Sequence, residues 1–233
     1  MTWHFTHDKK ETIVALLHDA GTPCFAHCVD YVFGDYVNQE SSEKKISDIV
    51  LQDKEILQFL KDDDISLDNL DNLSDFHILE NNSPKLCTDR LDGVLHTCYV
   101  WLHTHSLDQI KEVYNNMSIL KNRDGNLEIG FRDLKIAEKF VCMVYNYAKE
   151  LQRNTDKYVM KYISEIVKLA VQRNLISLED LYTKREKDIC DIFAENFLSW
   201  SIFNEASTLV QSEVEPNDVF YISFGAKKEM LFH

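Results

Sequence analysis

Basic residues are scarce in this sequence of 233 residues, in which 25 Lys and Arg stand against 39 Asp and Glu. The formal net charge is therefore −14. Non-specific nucleic-acid binding depends on Lys and Arg side chains that neutralise phosphates, so this balance argues against such a role. It does not exclude a small nucleotide, because a metal ion and a few local cations can hold its phosphates.

The sequence also lacks long apolar runs, targeting signals and a dense set of cysteines. No run of about 18 apolar residues occurs, which excludes a predicted transmembrane helix, and the N-terminus shows no signal-peptide pattern. The six cysteines are too sparse for a disulfide framework, and two thiols flanking His27 are not a standard zinc set. Four of the six sit inside apolar helical stretches, so we expect buried free thiols and a cytoplasmic location.

The pattern of apolar residues predicts a mostly helical chain, and an apolar content of 45% is ample for a core. Asp8 followed by Glu11 is typical of a capping box, which would open a first helix that runs to about Ala20. Further helices are predicted over residues 23–34 and 42–60.

The remaining segments predict short helices, one hairpin and one late strand. Residues 61–82 are rich in Asp and Asn, but Leu70 interrupts the oxygen ligands that an EF-hand loop needs, which favours short helices. Residues 118–131 alternate around an Asp-Gly pair and predict a β-hairpin, which two long helices follow. Residues 219–224 predict a strand.

The most informative feature is the His18-Asp19 doublet at the end of the first helix. Burying an ionised carboxylate is costly unless a metal or another cation compensates it. Imidazole and carboxylate together suit Mn²⁺, Fe²⁺, Zn²⁺ or Ni²⁺. Adjacent helical residues project about 100° apart, so they can converge on one ion only at a helix end. Gly21 and Pro23 supply that end.

Two segments carry a resemblance to a known family. Residues 18–27 resemble the H-D-x-G…F-x-H signature of the HD-domain metal-dependent phosphohydrolases. Residues 87–92 are similar to the D-x-D-R-x-D-Y segment of that superfamily's deoxynucleoside triphosphate triphosphohydrolase-like branch. The resemblance implies an all-α HD-domain fold with a small β-hairpin and additional C-terminal helices. It divides the chain into a core over 1–115 and a hairpin with a helical extension, packed on the core, over 116–233.

The resemblance also implies a metal centre. Carried over residue by residue, His18, Asp19 and Asp89 are ligands of one divalent ion, with Mn, Fe, Ni, Zn and Mg left open. Such an ion activates a water molecule for attack on phosphorus. Arg90 is then a candidate phosphate clamp, because its planar fork matches two phosphate oxygens. A surface ion pair is the alternative for Arg90.

His27 and Asp30 form a second candidate pair, since residues three apart share one face of a helix. Asp30 would orient His27, as carboxylates commonly do for functional histidines. His27 would then donate to phosphate or order a water molecule. A hydrogen-bonded core histidine is the alternative.

Several positions depart from the family pattern. The family's first metal-binding His comes from an earlier helix, but only 17 residues precede His18. We therefore expect the chain to lack that N-terminal helix and one ligand. Thr22 stands where a second His is common, Asn38 and Gln39 stand where a His-Glu pair is common, and Gly93 replaces an aromatic residue. Asn and Gln cannot donate a proton as His⁺ does, so the branch's general acid is not carried over.

The sequence thus predicts a metal-dependent phosphohydrolase that acts on a nucleotide or another phosphate ester or anhydride. It would bind a small phosphorylated substrate and no membrane, and the resemblance suggests a homo-oligomer. The departures favour an alternative, a catalytically degenerate HD domain that binds a nucleotide as sensor or regulator. A third hypothesis is a helical module whose acidic face binds a basic partner in a salt-sensitive way.

Overall fold

The computed structural model describes residues 1–35, 46–82 and 85–206. Helices dominate these residues, and their only sheet is a two-stranded antiparallel hairpin. The predicted all-α class with a small hairpin is therefore confirmed. In chain order, the helices are α1 (Thr2–Thr6), α2 (Lys9–Leu17), α3 (Asp30–Phe33), α4 (Ile46–Val50), α5 (Lys54–Asp62), α6 (Leu67–Asp71), α7 (Thr88–His96), α8 (Leu107–Asn116), α9 (Leu134–Leu151), α10 (Asn154–Gln172), α11 (Asp180–Thr183), α12 (Glu186–Asn196) and α13 (Leu198–Glu205).

The chain forms two compact units. Within the described residues, the first unit comprises 1–20 and 46–151, and the second comprises 21–35 and 152–206. The first unit therefore contains α1, α2 and α4 to α9 with the hairpin, and the second contains α3 and α10 to α13. The short segment after residue 20 thus belongs with helices that follow it by more than a hundred residues in the sequence.

Two clusters of apolar side chains form the core of the first unit. One joins α2 with α4, α5 and α6, and its centre includes the fully buried Val14 and Leu70. The other lies among α7, α8, α9 and the hairpin, where Leu91 and Phe140 are almost wholly inaccessible to solvent. In α9, Phe140 and Val144 are buried in this cluster at the helical spacing that the sequence predicts.

The hairpin pairs β1 (Met117–Lys121) with β2 (Leu127–Phe131), and Ile119 lies opposite Ile129. Gly125 adopts a φ of 83° in the connecting loop, a left-handed conformation that glycine tolerates without strain. Met117 and Ile129 pack in the cluster around α7. The predicted boundary between residues 115 and 116 therefore lies inside the first unit.

The second unit is built around α10, which packs against α3 and against the 3₁₀ turn over Ala26–Cys28 that precedes α3. Ile189 and Phe193 of α12 are fully buried in its core. The Cys24 amide donates to the Leu181 carbonyl over 2.7 Å, which fixes the segment before α3 against α11.

Several predicted helix boundaries are wrong. The first long helix ends at Leu17, and the chain tightens into a 3₁₀ turn over His18–Gly21. In place of one helix over 23–34, the structure has a 3₁₀ turn over Ala26–Cys28 and the four-residue α3. The predicted helix over 42–60 is divided after Val50, because the Asp53 side chain accepts from two amides and starts α5 anew.

The acidic segment 61–82 forms short helices as predicted, namely the end of α5, α6 and a 3₁₀ turn over Leu73–Asp75. The strand predicted over 219–224 lies outside the described residues. Within residues 1–35, 46–82 and 85–206, no helix has the length and apolar character needed to cross a bilayer.

The expectation of buried free thiols holds only in part. All six cysteines are free, but only Cys87 and Cys98 are buried, while Cys142 is exposed. Cys142 lies on the solvent side of α9, between apolar residues that face inward, which is why the apolar composition of its surroundings misled the prediction.

Candidate functional site

The His18-Asp19 doublet directly follows the end of α2, whereas the sequence places it inside a helix that runs to about Ala20. Asp8 caps α2 and accepts from the Glu11 amide over 2.8 Å. The helix ends at Leu17, and His18 opens the 3₁₀ turn. Asp19 follows in the same turn, in which three residues per turn separate adjacent side chains by about 120°.

Both nitrogens of the His18 ring face hydrogen-bond acceptors. Nδ1 donates to the Ala15 carbonyl over 2.7 Å, and Nε2 donates to Asp89 Oδ1 over 3.0 Å. Asp19 Oδ2 lies 3.4 Å from the same Nε2. The hydrogen bond to Asp89, together with the Ala15 carbonyl and the charge of Asp19, raises the pKa of His18 to about 9, although burial opposes the shift. The ring is therefore a cation at neutral pH.

Asp89 reaches His18 from the first turn of α7, where a negative charge is favoured by the helix dipole. The backbone fixes this turn, because the Thr88 amide donates to the Ile78 carbonyl over 2.8 Å and the Asp89 amide donates to the Leu79 carbonyl over 3.2 Å. The hydroxyls of Thr2 and Thr88 are hydrogen-bonded over 2.7 Å in a buried position. The start of α7 is thus held from two sides.

The donor set of His18, Asp19 and Asp89 matches a divalent ion in its chemistry. Metal-binding histidines usually donate their second ring nitrogen to a carbonyl or carboxylate, as His18 does to Ala15. Two ligands about 2.1 Å from one ion lie about 3.0 Å apart in octahedral geometry and about 3.4 Å apart in tetrahedral geometry. The 3.0 Å contact to Asp89 has the length of an ordinary N–H···O hydrogen bond, and the 3.4 Å separation from Asp19 is within the range of two ligands of one ion.

The ligand set is nevertheless incomplete in this arrangement. Across the described ranges, no group of three or more His, Cys, Asp or Glu side chains is arranged to hold a metal ion. The two carboxylates approach His18 individually, and its Nε2 carries a proton that an ion would have to displace. Asp19 is also 78% exposed, so the argument that a buried charge requires a cation does not apply to it.

Arg90 is committed to the chain that precedes it. Its guanidinium donates to the carbonyls of Lys85 and Asn81, the latter over 3.1 Å, and lies 3.8 Å from the Glu80 carboxylate. These contacts fix the connection into α7. They favour a structural role for Arg90 over the predicted phosphate clamp.

Glu80 is a further acidic group close to this site. Burial raises the pKa of Glu80, and the negative charge of Asp89 raises it further, while the backbone amide of Asn81 and the charges of Arg90 and His18 oppose the shift. The surroundings of Asp89 are therefore richer in carboxylates than the sequence motif indicates.

His27 and Asp30 belong to the second unit, and they pair as their spacing predicts. His27 Nδ1 donates to Asp30 Oδ2 over 3.2 Å. The Asp30 side chain is fully buried, whereas 54% of the His27 side chain is exposed. The carboxylate therefore orients an imidazole whose Nε2 is directed away from it.

Of the residues that depart from the family pattern, the structure describes Gly93 and Thr22. Gly93 lies in the exposed part of α7, where an added Cβ would meet no atom within 4 Å. Thr22 follows the 3₁₀ turn of the doublet and is partly buried. Asn38 and Gln39 lie outside the described residues.

Two residues near the site were missed by the sequence analysis. The Glu11 side chain, read as part of a capping box, instead accepts from the Leu79 amide over 2.9 Å. The Asp8 amide, which the capping box assigns to Glu11, donates to the Thr6 hydroxyl. Glu80 carries no motif. No local signal reveals either role, because both depend on contacts with distant parts of the chain.

Comparisons with known proteins identify one relative and no family. No family model matches the chain, and no solved structure matches it. The uncharacterized protein YdhJ of Bacillus subtilis (strain 168) is 29% identical over 231 residues. The match covers 95% of this chain and spans 66% of the length of that relative.

Proposed function

We propose that this chain is a metal-dependent phosphohydrolase that acts on a nucleotide or another phosphate ester or anhydride. One observation carries the proposal: the Nε2 atom of His18 faces two carboxylates while its Nδ1 is fixed on a backbone carbonyl. The proposal also takes in the resemblance to HD-domain phosphohydrolases, which rests on the same residues.

His18, Asp19 and Asp89 would hold the ion. A divalent ion in such a site polarises a phosphoryl oxygen and lowers the pKa of water towards neutrality. The Ala15 carbonyl keeps the His18 ring oriented, so that Nε2, when deprotonated, would be available to the ion. Asp89 is held by the first turn of α7, and Asp19 is exposed and free to adjust.

In the second unit, His27 is the candidate donor to a phosphate oxygen. Its Nδ1 is committed to the buried Asp30, so Nε2 is the nitrogen that faces a ligand. The substrate class, a cytoplasmic location and assembly into a homo-oligomer are parts of the same proposal.

A regulatory role is the second candidate, in which the chain binds a nucleotide without hydrolysing it. Two observations favour it. Arg90 uses its guanidinium on backbone carbonyls and Glu80, and His18 forms a closed pair with Asp89.

The test is turnover of a panel of nucleoside mono-, di- and triphosphates in the presence of Mn²⁺, measured as released phosphate. Asp19→Ala should abolish the activity, because a carboxylate ligand is lost. Asp62→Ala, an exposed residue of α5, is the matched control and should leave turnover unchanged. Turnover that survives Asp19→Ala would contradict the proposal. Saturable nucleotide binding without turnover would favour the regulatory role.

A further inference from the structure

The backbone of Leu79 joins the two helices that carry the candidate ligands. Its amide donates to the Glu11 carboxylate of α2 over 2.9 Å, and its carbonyl accepts from the Asp89 amide of α7 over 3.2 Å. Leu79 is 1% exposed, and its hydrogen bond with Glu11 is partly buried. One buried residue therefore transmits the position of α2 to the start of α7.

Glu11 lies in the first turn of α2, and His18, which directly follows its last residue with helical dihedral angles, is on the same side of the helix axis. They are seven residues apart, which is close to two turns of a helix with 3.6 residues per turn. The helix consequently meets the segment 79–89 at two points, Glu11 with Leu79 and His18 with Asp89. Together with the packing of Val14 in the core, these two contacts fix the separation and the rotation of α2 relative to Asp89.

The Glu11 carboxylate is specialised for this contact. It does not return to the amide of Asp8, which the predicted capping box requires, because the Thr6 hydroxyl takes that amide. Burial raises the pKa of Glu11, with the hydrogen bond from Leu79 opposing the shift. A partly buried carboxylate that accepts from a backbone amide makes a stronger hydrogen bond than a neutral acceptor does.

We infer that Glu11 is a positioning residue, which sets the separation of His18 Nε2 and Asp89 through the backbone of Leu79. The inference rests on the proposed function only in assigning a metal to that pair. Hydrogen-bond partners of a metal ligand typically contribute about 10–100-fold to metal affinity, and Glu11 acts one residue further out, so we expect an effect at the lower end of that range. Removal of the Glu11 carboxylate should therefore loosen the His18–Asp89 pair and weaken metal binding by a similar factor.

Three variants separate positioning from simple stability. Glu11→Ala removes the acceptor, whereas Glu11→Gln keeps an amide oxygen that still accepts from Leu79. Glu55→Ala is the matched control, because Glu55 also lies in the first turn of a helix capped by Asp, but is exposed. If Glu11→Ala does not fold, Glu11→Asp retains the charge and withdraws the carboxylate by one methylene.

The first readout needs no metal. In ¹⁵N-labelled protein, the His18 Nε2–H proton should give a slowly exchanging NMR signal, assigned by its loss in His18→Gln. We expect Glu11→Ala to lose this signal and Glu11→Gln and Glu55→Ala to keep it. The second readout is Co²⁺ titration followed by absorbance, in which Glu11→Ala should bind about tenfold more weakly. Glu11→Gln should remain within about threefold of the unaltered protein.

The two readouts distinguish a failure of the positioning inference from a failure of the proposed metal site. Loss of the NMR signal in Glu11→Ala, with no Co²⁺ bound by the unaltered chain, would support positioning and contradict the proposed metal site. Unchanged NMR and Co²⁺ affinity in Glu11→Ala would overturn the inference and leave the metal site standing. An unaltered chain without the slow signal would contradict the His18–Asp89 hydrogen bond and overturn the inference.

Discussion

The buried hydrogen bond between Thr2 and Thr88 should contribute measurably to stability. The two hydroxyls are 2.7 Å apart, the residues are 5% and 1% exposed, and they lie 86 positions apart in the sequence. Thr88→Val keeps the shape of the side chain but leaves the Thr2 hydroxyl without this partner. A buried hydroxyl that loses its partner costs about 1–3 kcal/mol, and Thr2→Val should cost a similar amount.

The double variant distinguishes this reasoning from a simple packing effect. Replacing both threonines removes both polar groups, so we expect its stability to return to within about 1 kcal/mol of the unaltered protein. The assay is urea unfolding followed by circular dichroism. Native-state hydrogen exchange in α7 reports on the first unit alone. Thr155→Val, at an exposed position of α10, should change stability by less than about 0.5 kcal/mol. The reasoning would be refuted if the double variant lost as much unfolding free energy as the two single variants lose together.

Three further predictions test the packing and the thiols. Leu91→Ala, at a fully buried position of α7, should lower the free energy of unfolding by about 2–5 kcal/mol, measured in urea. Leu16→Ala, at an 81% exposed position of α2, should lower it by less than about 0.5 kcal/mol. Equal losses in the two variants would contradict the described core. Gly93→Ala should raise the unfolding free energy by about 0.5–1 kcal/mol, since the added methyl has open space and alanine favours a helix; a loss of stability would show that the site is crowded. Iodoacetamide at pH 8 should label the exposed Cys142 and leave Cys28 unmodified by mass spectrometry, because burial raises the pKa of Cys28 to about 12. Faster labelling of Cys28 than of Cys142 would contradict the burial of the Cys28 thiol.

Features with a local sequence signal were predicted well. The hairpin follows from an Asp-Gly pair between alternating arms, and the long helices α9 and α10 follow from apolar stripes over many turns. Asp8 was recognised as a helix cap from its own neighbourhood. In each case, the interactions that determine the structure lie within a few residues of the pattern.

Helix boundaries were predicted less well, because an apolar stripe can continue across a break. The side chains of α4 and α5 fit one helical stripe, yet Asp53 caps a new helix by accepting from the amides of Glu55 and Ile56. Asp inside a predicted helix is ambiguous, since the same residue can lie on a solvated face or start a helix. Only the tertiary contacts decide between the two.

The candidate site was predicted in part. The resemblance selected His18, Asp19 and Asp89, and the structure places both carboxylates next to His18 Nε2. The contact between Glu11 and Leu79 joins residues 68 positions apart, and no pattern in either segment signals it. The commitment of Arg90 to backbone carbonyls is equally invisible in the sequence, which presents only an Arg beside an Asp.

The central claim is that His18, Asp19 and Asp89 hold a divalent metal ion, and elemental analysis tests it most directly. The unaltered chain, Asp89→Ala and Asp108→Ala would be dialysed against Mn²⁺ and then against metal-free buffer. Asp108 is the matched control, because it also lies in the first turn of a helix, at the exposed start of α8. The account predicts close to one ion per chain in the unaltered protein and the control, and almost none in Asp89→Ala. Equal metal content in all three, or none in any, would contradict it.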